Sequence, residues 1–223
     1  MELTCTAILF DLDGVLINSS TVIERHWKTW AESQGVSYDR LMEVAHGRTS
    51  AEIVRLVAPQ LDAEREGRLR EAEEGIDTDG LEAYDSARQL LNSLPPHSWA
   101  VVTSGNPVTA STRLRFGDFP APPVLVTADD VQRGKPQPDA YLLAAQLLGV
   151  QPARCVVIED APAGIAAARA AGMRTIAVAT THTRQALDQA DFIVHDIARV
   201  KVTTEDSGFR VTLEPLASPE TIA

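Results

Sequence analysis

Short apolar runs alternate with helical patterns over most of the chain. Six runs rich in Val and Ile are apolar at nearly every position, which is typical of strands covered on both faces. These runs span residues 7–10, 99–103, 124–127, 155–158, 175–179 and 192–194. Two helical stretches between the later runs, residues 138–149 and 162–172, each begin with Pro and end with Gly. The alternation predicts an α/β fold with a Rossmann-like parallel sheet core and helices on both faces.

Two stretches depart from this alternation. After the first strand, SSTVIERHWKTWAESQG, SAEIVRLVAP and DAEREGRLREAEEG carry only helical patterns, the first with Ser19 or Ser20 as N-cap and Gly35 as its end. Near the C-terminus, VKVTTEDSGFRVTL alternates polar and apolar residues around residues 206–208, which predicts a β-hairpin. We therefore predict an inserted all-helical domain in residues 18–82, between core residues 1–17 and core residues 83–223.

Composition narrows the class of protein. The 223 residues are 44% hydrophobic and 23% charged, which is ordinary for a globular protein of one domain with a smaller insert. We see no basic and apolar leader and no run of membrane-spanning length, so we expect a cytoplasmic protein, by default a monomer, without a membrane partner. Cys5 and Cys155 lie in apolar strand-like runs and are expected to be buried reduced thiols.

Net charge excludes one class of partner. The formal charge of −11 argues against nucleic acid, because a phosphate backbone needs clustered Lys and Arg. Small phosphorylated ligands remain possible, because a bound metal, one lysine and backbone amides can capture them whatever the global charge.

Polar residues follow the predicted strands at the ends where open α/β sheets bind their ligands. They are Asp11, Asp13, Thr103, Ser104, Asn106, Lys135, Glu159 and Asp160. In AILFDLDGVLINSS, the first two follow the apolar run AILF and are separated by one residue, and carboxylates at such a short distance repel each other unless positive charge lies between them. Taken alone, the pair is either a solvated turn or a site built to hold a metal cation.

This set of side chains suits phosphoryl transfer, in which catalysis is mostly positioning and electrostatic stabilisation. Asp11 can act as a nucleophile that forms an aspartyl-phosphate, provided that Mg²⁺ and Lys135 neutralise the approaching charges. Thr103 can donate a hydrogen bond to a phosphoryl oxygen. Asp13 can protonate the leaving alkoxide and later deprotonate the attacking water.

Four motifs in order carry a family resemblance. FDLDGVL, VVTSGN, GKPQPDAYLLAAQLLG and VVIEDAPAGIAAARAAGM resemble the haloacid dehalogenase-like hydrolases, in the branch with a helical cap inserted after the first motif. The resemblance covers essentially the whole chain. It is greatest to sugar phosphatases acting on hexose phosphates, 2-deoxyglucose phosphate or glycerol phosphate, which implies a Mg²⁺-dependent phosphomonoesterase for small sugar or polyol phosphates.

The resemblance also implies roles for the acidic residues. Asp11 would be the nucleophile and Asp13 the general acid and base. The metal would bind the Asp11 carboxylate, the Asp13 carbonyl oxygen and Asp160. Glu159 would be either a ligand or a partner that acts through water. As an alternative, one of Glu159 and Asp160 only caps the following helix.

The remaining implied contacts are to the substrate. Thr103 and Lys135 would bind the phosphoryl group, with Ser104 and Asn106 close by, although Thr103 alone could equally satisfy a strand-end backbone group. The family uses the loop that contains HGRTS to reach over the site, so Arg48 is a candidate contact for the sugar end. An exposed arginine at a helix start is the alternative.

The chain departs from the family pattern at three places. Asn18 replaces a frequent aspartate, and Tyr84 with Asp85 replaces a frequent Pro-Gly pair at the return to the core. Ile23 replaces the histidine that β-phosphoglucomutases carry, which disfavours the alternative of a phosphosugar mutase. A dehalogenase is disfavoured because its chemistry needs neither the second aspartate nor a metal. A non-catalytic phosphoacceptor module of the receiver type is disfavoured by the order of the motifs and by the helical insert.

Overall fold

The computed structural model describes residues 1–45, 49–205 and 208–214, and a six-stranded parallel sheet forms its centre. The strands, numbered along the chain, are β1 (Glu2–Cys5), β2 (Ala7–Phe10), β3 (Ile17–Asn18), β4 (Glu82–Ala83), β5 (Trp99–Val102), β6 (Leu125–Val126), β7 (Cys155–Glu159), β8 (Arg174–Val178), β9 (Phe192–Val194), β10 (Val200–Glu205) and β11 (Gly208–Leu213). The central order is β6-β5-β2-β7-β8-β9. Each of the six predicted runs supplies one of these strands, so the predicted sheet is confirmed.

Helices cover both faces of this sheet. They are α1 (Ser20–Gln34), α2 (Tyr38–Ala45), α3 (Ser50–Val57), α4 (Ala63–Ile76), α5 (Asp85–Ser93), α6 (Pro107–Phe116), α7 (Asp139–Leu148) and α8 (Pro162–Ala170). Along β2, Ile8 and Phe10 pack in one apolar cluster with side chains of α5 and α6. Ala7 and Leu9 point to the opposite face and pack with α7 and α8. Burial on both sides explains why the strand is continuously apolar.

The four helices α1 to α4 form the insert, which has an apolar core of its own. Trp27 and Trp30 of α1 pack there with Leu41, Ile53 and Val57. The chain enters and leaves the insert through a two-stranded antiparallel ribbon, in which Ile17 of β3 pairs with Ala83 of β4. Helix α2 lies in the stretch that was predicted to be helical, without bounds of its own, and the ribbon was not predicted. The limits of the insert at residues 18 and 82 stay a prediction, although both residues lie in the ribbon.

The C-terminal hairpin is confirmed and is part of a larger unit. Strands β10 and β11 pair in antiparallel register, and β1 adds a third strand to give the order β1-β11-β10. Val211 and Phe209 pack into the cluster that also contains Ile8 and Phe10, so this sheet closes the same face as α5 and α6. Asp206 and Ser207 lie outside the described residues.

Two expectations from composition can be checked against the structure. Cys5 and Cys155 are buried free thiols, as expected, and burial raises the pKa of Cys5 to about 12 and that of Cys155 to about 11. Within the described ranges, none of the helices is both long and apolar enough to cross a membrane.

Candidate active site

Side chains from four segments meet at the carboxyl ends of the central strands. Asp11 follows β2 directly, Thr103 follows β5, and Glu159 ends β7 with Asp160 next to it. Lys135 comes from the loop before α7 and points its amino group at the same place. Parallel pairing of β2 with both β5 and β7 brings these ends together, as the rule for open α/β sheets predicts.

Asp11, Glu159 and Asp160 form an acidic cluster. One carboxylate oxygen from each lies within 4.8 Å of the others, and all three residues are buried. Burial raises the pKa of Asp11 to about 7, although Lys135 opposes this shift, and burial together with Glu159 raises that of Asp160 well above its ordinary value. Buried carboxylate oxygens with too little positive charge are the ligand set that a hard cation such as Mg²⁺ suits. The residues therefore fit a divalent metal.

Lys135 donates two hydrogen bonds to the acidic cluster and a third to the main chain. Its Nζ donates to Asp11 Oδ1 at 2.5 Å, to Glu159 Oε1 at 2.7 Å and to the Val102 carbonyl at 3.1 Å. The Lys135 side chain is only 8% exposed, and its two carboxylate partners raise its pKa against the effect of burial. The lysine therefore stays charged beside Asp11, and its binding of a phosphoryl group stays a prediction.

Glu159 is held on every side by the protein. Its Oε1 accepts a hydrogen bond from the Tyr141 hydroxyl at 3.0 Å, and its Oε2 accepts from the amides of Asp160 and Ala161 at 2.9 and 3.0 Å. An added Cβ at Gly164 would lie 1.6 Å from Oε1, so only glycine fits beside this carboxylate. Both oxygens are thus engaged without a metal.

Asp160 is positioned by two residues that the sequence analysis did not single out. The Thr181 hydroxyl donates to Asp160 Oδ2. Gly14 has a φ of +77°, and an added Cβ there would lie 2.2 Å from the same oxygen. Thr181 comes soon after the end of β8, so the strand-end rule that found the other residues could also have found it.

Asp13 lies beside the acidic cluster and has different partners. Ser19 Oγ donates to its Oδ1 at 2.6 Å, and Arg113 of α6 donates to its Oδ2 at 2.7 Å. Burial raises the pKa of Asp13, and Arg113 opposes the shift. Ser19 occupies the predicted N-cap position of α1. Its side chain makes no cap hydrogen bond, because its hydroxyl donates to Asp13 instead. The sequence analysis missed Arg113.

The predicted phosphate-binding residues after β5 differ in exposure and in their hydrogen bonds to the main chain. Thr103 is 3% exposed, and its Oγ1 accepts from the Gly105 amide at 3.0 Å. Asn106 caps α6, because its Oδ1 accepts from the Thr109 amide at 3.0 Å. Ser104 is exposed. Contact of these residues with phosphate stays a prediction, as does contact of Arg48, which lies outside the described residues, with the sugar end of the substrate.

Comparisons with known proteins give one family and consistent relatives. A family model described as haloacid dehalogenase-like hydrolase matches residues 5–172. Hexitol phosphatase A from Escherichia coli (strain K12) is 39% identical over 209 residues, covering 92% of this chain and 97% of the relative. 2-Deoxyglucose-6-phosphate phosphatase 2 from Saccharomyces cerevisiae is 33% identical, covering 87% of this chain and 89% of the relative. A hydrolase from Pseudomonas syringae superimposes with a TM-score of 0.75 at 26% identity, covering 86% of this chain and 94% of that one.

Proposed function

Because the chain belongs to the haloacid dehalogenase-like hydrolase family, we propose that it is a Mg²⁺-dependent phosphomonoesterase for small sugar or polyol phosphates. The observation that supports this most is the acidic cluster with Lys135 at the carboxyl ends of the central strands. The names of the relatives, which act on a hexitol phosphate or on 2-deoxyglucose 6-phosphate, supply the substrate class.

Asp11 is the proposed nucleophile. Its carboxylate oxygen bonds to phosphorus while the ester P–O bond breaks, which gives an aspartyl-phosphate. Asp13 donates its proton to the leaving alkoxide in this step. In the second step it accepts a proton from the water that attacks phosphorus, which releases phosphate from Asp11. Asp13 is suited to both steps because it lies beside the cluster without belonging to it.

The acidic cluster is the proposed metal site. The carboxylates of Asp11 and Asp160 and the main-chain carbonyl of Asp13 would hold Mg²⁺. Bound there, the ion would offset the negative charge of the carboxylates and the phosphoryl group. Glu159 has both oxygens engaged by Lys135, Tyr141 and backbone amides, which supports contact through water rather than direct ligation.

The proposed phosphoryl cradle consists of a lysine, a hydroxyl and a turn. Lys135 supplies a fixed positive charge, and Thr103 with the turn from Ser104 to Asn106 supplies hydrogen-bond donors. Arg48 is the proposed contact for the sugar end. The insert, residues 18–82, would act as a cap that closes over the substrate, with its hinges at the β3–β4 ribbon.

A panel of phosphorylated metabolites tests this function. The panel is a hexitol phosphate, 2-deoxyglucose 6-phosphate, fructose 1-phosphate and glycerol 1-phosphate, each assayed for free phosphate with Mg²⁺ and with EDTA. We expect phosphate release with Mg²⁺ and none with EDTA. Isomerised sugar phosphate without phosphate release would favour a mutase, and a phosphorylated protein that is stable for hours without turnover would favour a phosphoacceptor module.

A further inference from the structure

A chain of ion pairs leads from Asp13, whose side chain is 25% exposed, into the buried interior of the insert. Arg113 of α6 donates to Asp13 Oδ2 and to Glu74 Oε1, both at 2.7 Å, and Arg70 donates to the other oxygen of Glu74. The arginine and glutamate side chains are at most 8% exposed. We propose that Arg113 is a positioning residue for Asp13 and that Glu74 holds Arg113 in place, so that a helix of the insert sets the geometry of the acid–base step. This inference rests on the proposed function.

The position of Arg113 is fixed by close packing of the two helices that it joins. An added Cβ at Gly75 of α4 would lie 2.5 Å from Thr109 Oγ1 of α6. A residue with a side chain at position 75 would therefore keep α4 further from α6. The planar guanidinium then lies between two carboxylates, one on each side. Because the guanidinium is planar and rigid, the hydrogen bond from one nitrogen to Glu74 fixes the direction of the other nitrogen, which donates to Asp13.

Glu74 is in turn anchored in the core of the insert. Its partner Arg70 also donates to Ser50 Oγ at 2.9 Å, and its guanidinium lies 4.2 Å from the ring centroid of Trp27. Burial alone would raise the pKa of Glu74, but Arg70 and Arg113 hold it below its ordinary value. Glu74 is therefore a charged, immobile support for Arg113.

The effect on kcat/KM falls on the first chemical step, because the alcohol has already left when water attacks the aspartyl-phosphate. Among the described residues, Asp13 has two side-chain partners, Ser19 and Arg113, and without Arg113 one of its oxygens loses its fixed direction. A misplaced acid slows the breaking of a P–O bond only when the leaving alkoxide needs the proton. An alkyl phosphate needs it, whereas nitrophenolate leaves as a stable anion.

The test compares leaving groups in Arg113→Met and in Arg115→Met, a matched control on the same helix whose side chain is exposed. The substrates are 4-nitrophenyl phosphate and the panel compound that the wild type hydrolyses fastest. For Arg113→Met, we expect kcat/KM to fall at least about 100-fold with the alkyl phosphate and less than about fivefold with 4-nitrophenyl phosphate. Arg115→Met should leave both values unchanged.

Glu74→Gln provides a second, milder variant in case Arg113→Met does not fold. It keeps the shape of the side chain and an acceptor oxygen, so we expect the same split between substrates at about tenfold. Equal losses with both substrates, or no loss with either, in the folded variants would overturn the inference and would indicate a purely structural ion pair. If the wild type itself released no phosphate from either substrate, the proposed function would fail first.

Discussion

Two groups of charged side chains lie next to each other in this protein, and they differ in the balance of negative and positive charge. The acidic cluster sets the three carboxylates of Asp11, Glu159 and Asp160 against the single ammonium of Lys135. The chain of ion pairs sets the carboxylates of Asp13 and Glu74 against the guanidinium groups of Arg113 and Arg70, two against two.

The pKa values of Asp11 and Glu74 follow this difference, while burial raises the pKa of Asp13 and Lys135 lowers that of Glu159 against the effect of burial. Burial raises the pKa of Asp11 to about 7 because one lysine cannot neutralise the cluster, whereas two arginines hold the pKa of Glu74 below its ordinary value. An unbalanced group needs a cation from outside before it can be fully ionised. A balanced group needs none, and it fixes the relative position of the elements that carry it.

The largest expected effect is on catalysis in the acidic cluster. Asp11→Asn removes the nucleophile and should lower kcat at least about 1,000-fold. The variant also removes a carboxylate from a site with excess negative charge, so its melting temperature without metal should be no lower than that of the wild type. Phosphate release and thermal unfolding check the two parts. Activity within tenfold of the wild type would remove Asp11 from this role.

Neutralising the balanced group should instead lower stability. Glu74→Gln leaves Arg70 and Arg113 with too little negative charge, and we expect the free energy of unfolding to fall by about 3 kcal/mol at pH 7. Denaturant unfolding measures this change. An unchanged midpoint would contradict the view that these charges hold the insert to the core.

The same variant gives a pH dependence with a defined sign. Because the folded-state pKa of Glu74 is lowered, its contribution to stability is full above the ordinary value of 4.5 and is lost as the pH falls through the folded-state pKa. The difference in unfolding free energy between wild type and Glu74→Gln should therefore shrink only below about pH 4.5.

Metal addition should stabilise the protein through the acidic cluster and not through the chain of ion pairs. The expected gain in the free energy of unfolding is slightly smaller than the loss expected for Glu74→Gln. At a Mg²⁺ concentration of 100 times Kd, the wild type should gain about 2.7 kcal/mol of stability. Asp160→Asn should lose this gain, and Glu74→Gln should retain it, because only Asp160 lies in the proposed metal site. Thermal unfolding with Mg²⁺ and with EDTA measures the gain. An equal gain in wild type and Asp160→Asn would place the metal elsewhere.

The smallest effect is expected at an ion pair on the surface of the insert. Arg25 contacts Asp77 at 2.7 Å, but the Arg25 side chain is 37% exposed. Water screens such a pair, so Arg25→Met should leave the midpoint of denaturant unfolding close to that of the wild type. A loss as large as that of Glu74→Gln would show that burial does not separate the two kinds of pair.

The two groups also differ in how far the sequence reveals them. Each member of the acidic cluster follows a strongly apolar strand, and parallel strands bring their carboxyl ends to one edge, so local pattern was enough to predict the cluster. Lys135 was found in the same way, from a loop between recognisable elements. The six strands and the insert were predictable for a similar reason, since each has a local apolar pattern.

The chain of ion pairs could not be found from local pattern. Glu74 is one of several glutamates in EAEEG, and Arg113 is next but one to Arg115, which faces solvent. Which of them meet depends on how α4 crosses α6, a contact between residues 39 positions apart. The short ribbon of β3 and β4 was not predicted, because a strand of two residues is too short to show an alternation of apolar and polar positions.

The stereochemical course at phosphorus tests the central claim most directly, namely that Asp11 takes the phosphoryl group before water does. The substrate is a sugar phosphorothioate made chiral at phosphorus with sulfur and two oxygen isotopes, and it is hydrolysed in water that carries the third isotope. Transfer to Asp11 and then to water consists of two in-line displacements, so we predict retention of configuration in the released thiophosphate. Inversion would mean a single direct attack by water and would contradict the proposed role of Asp11.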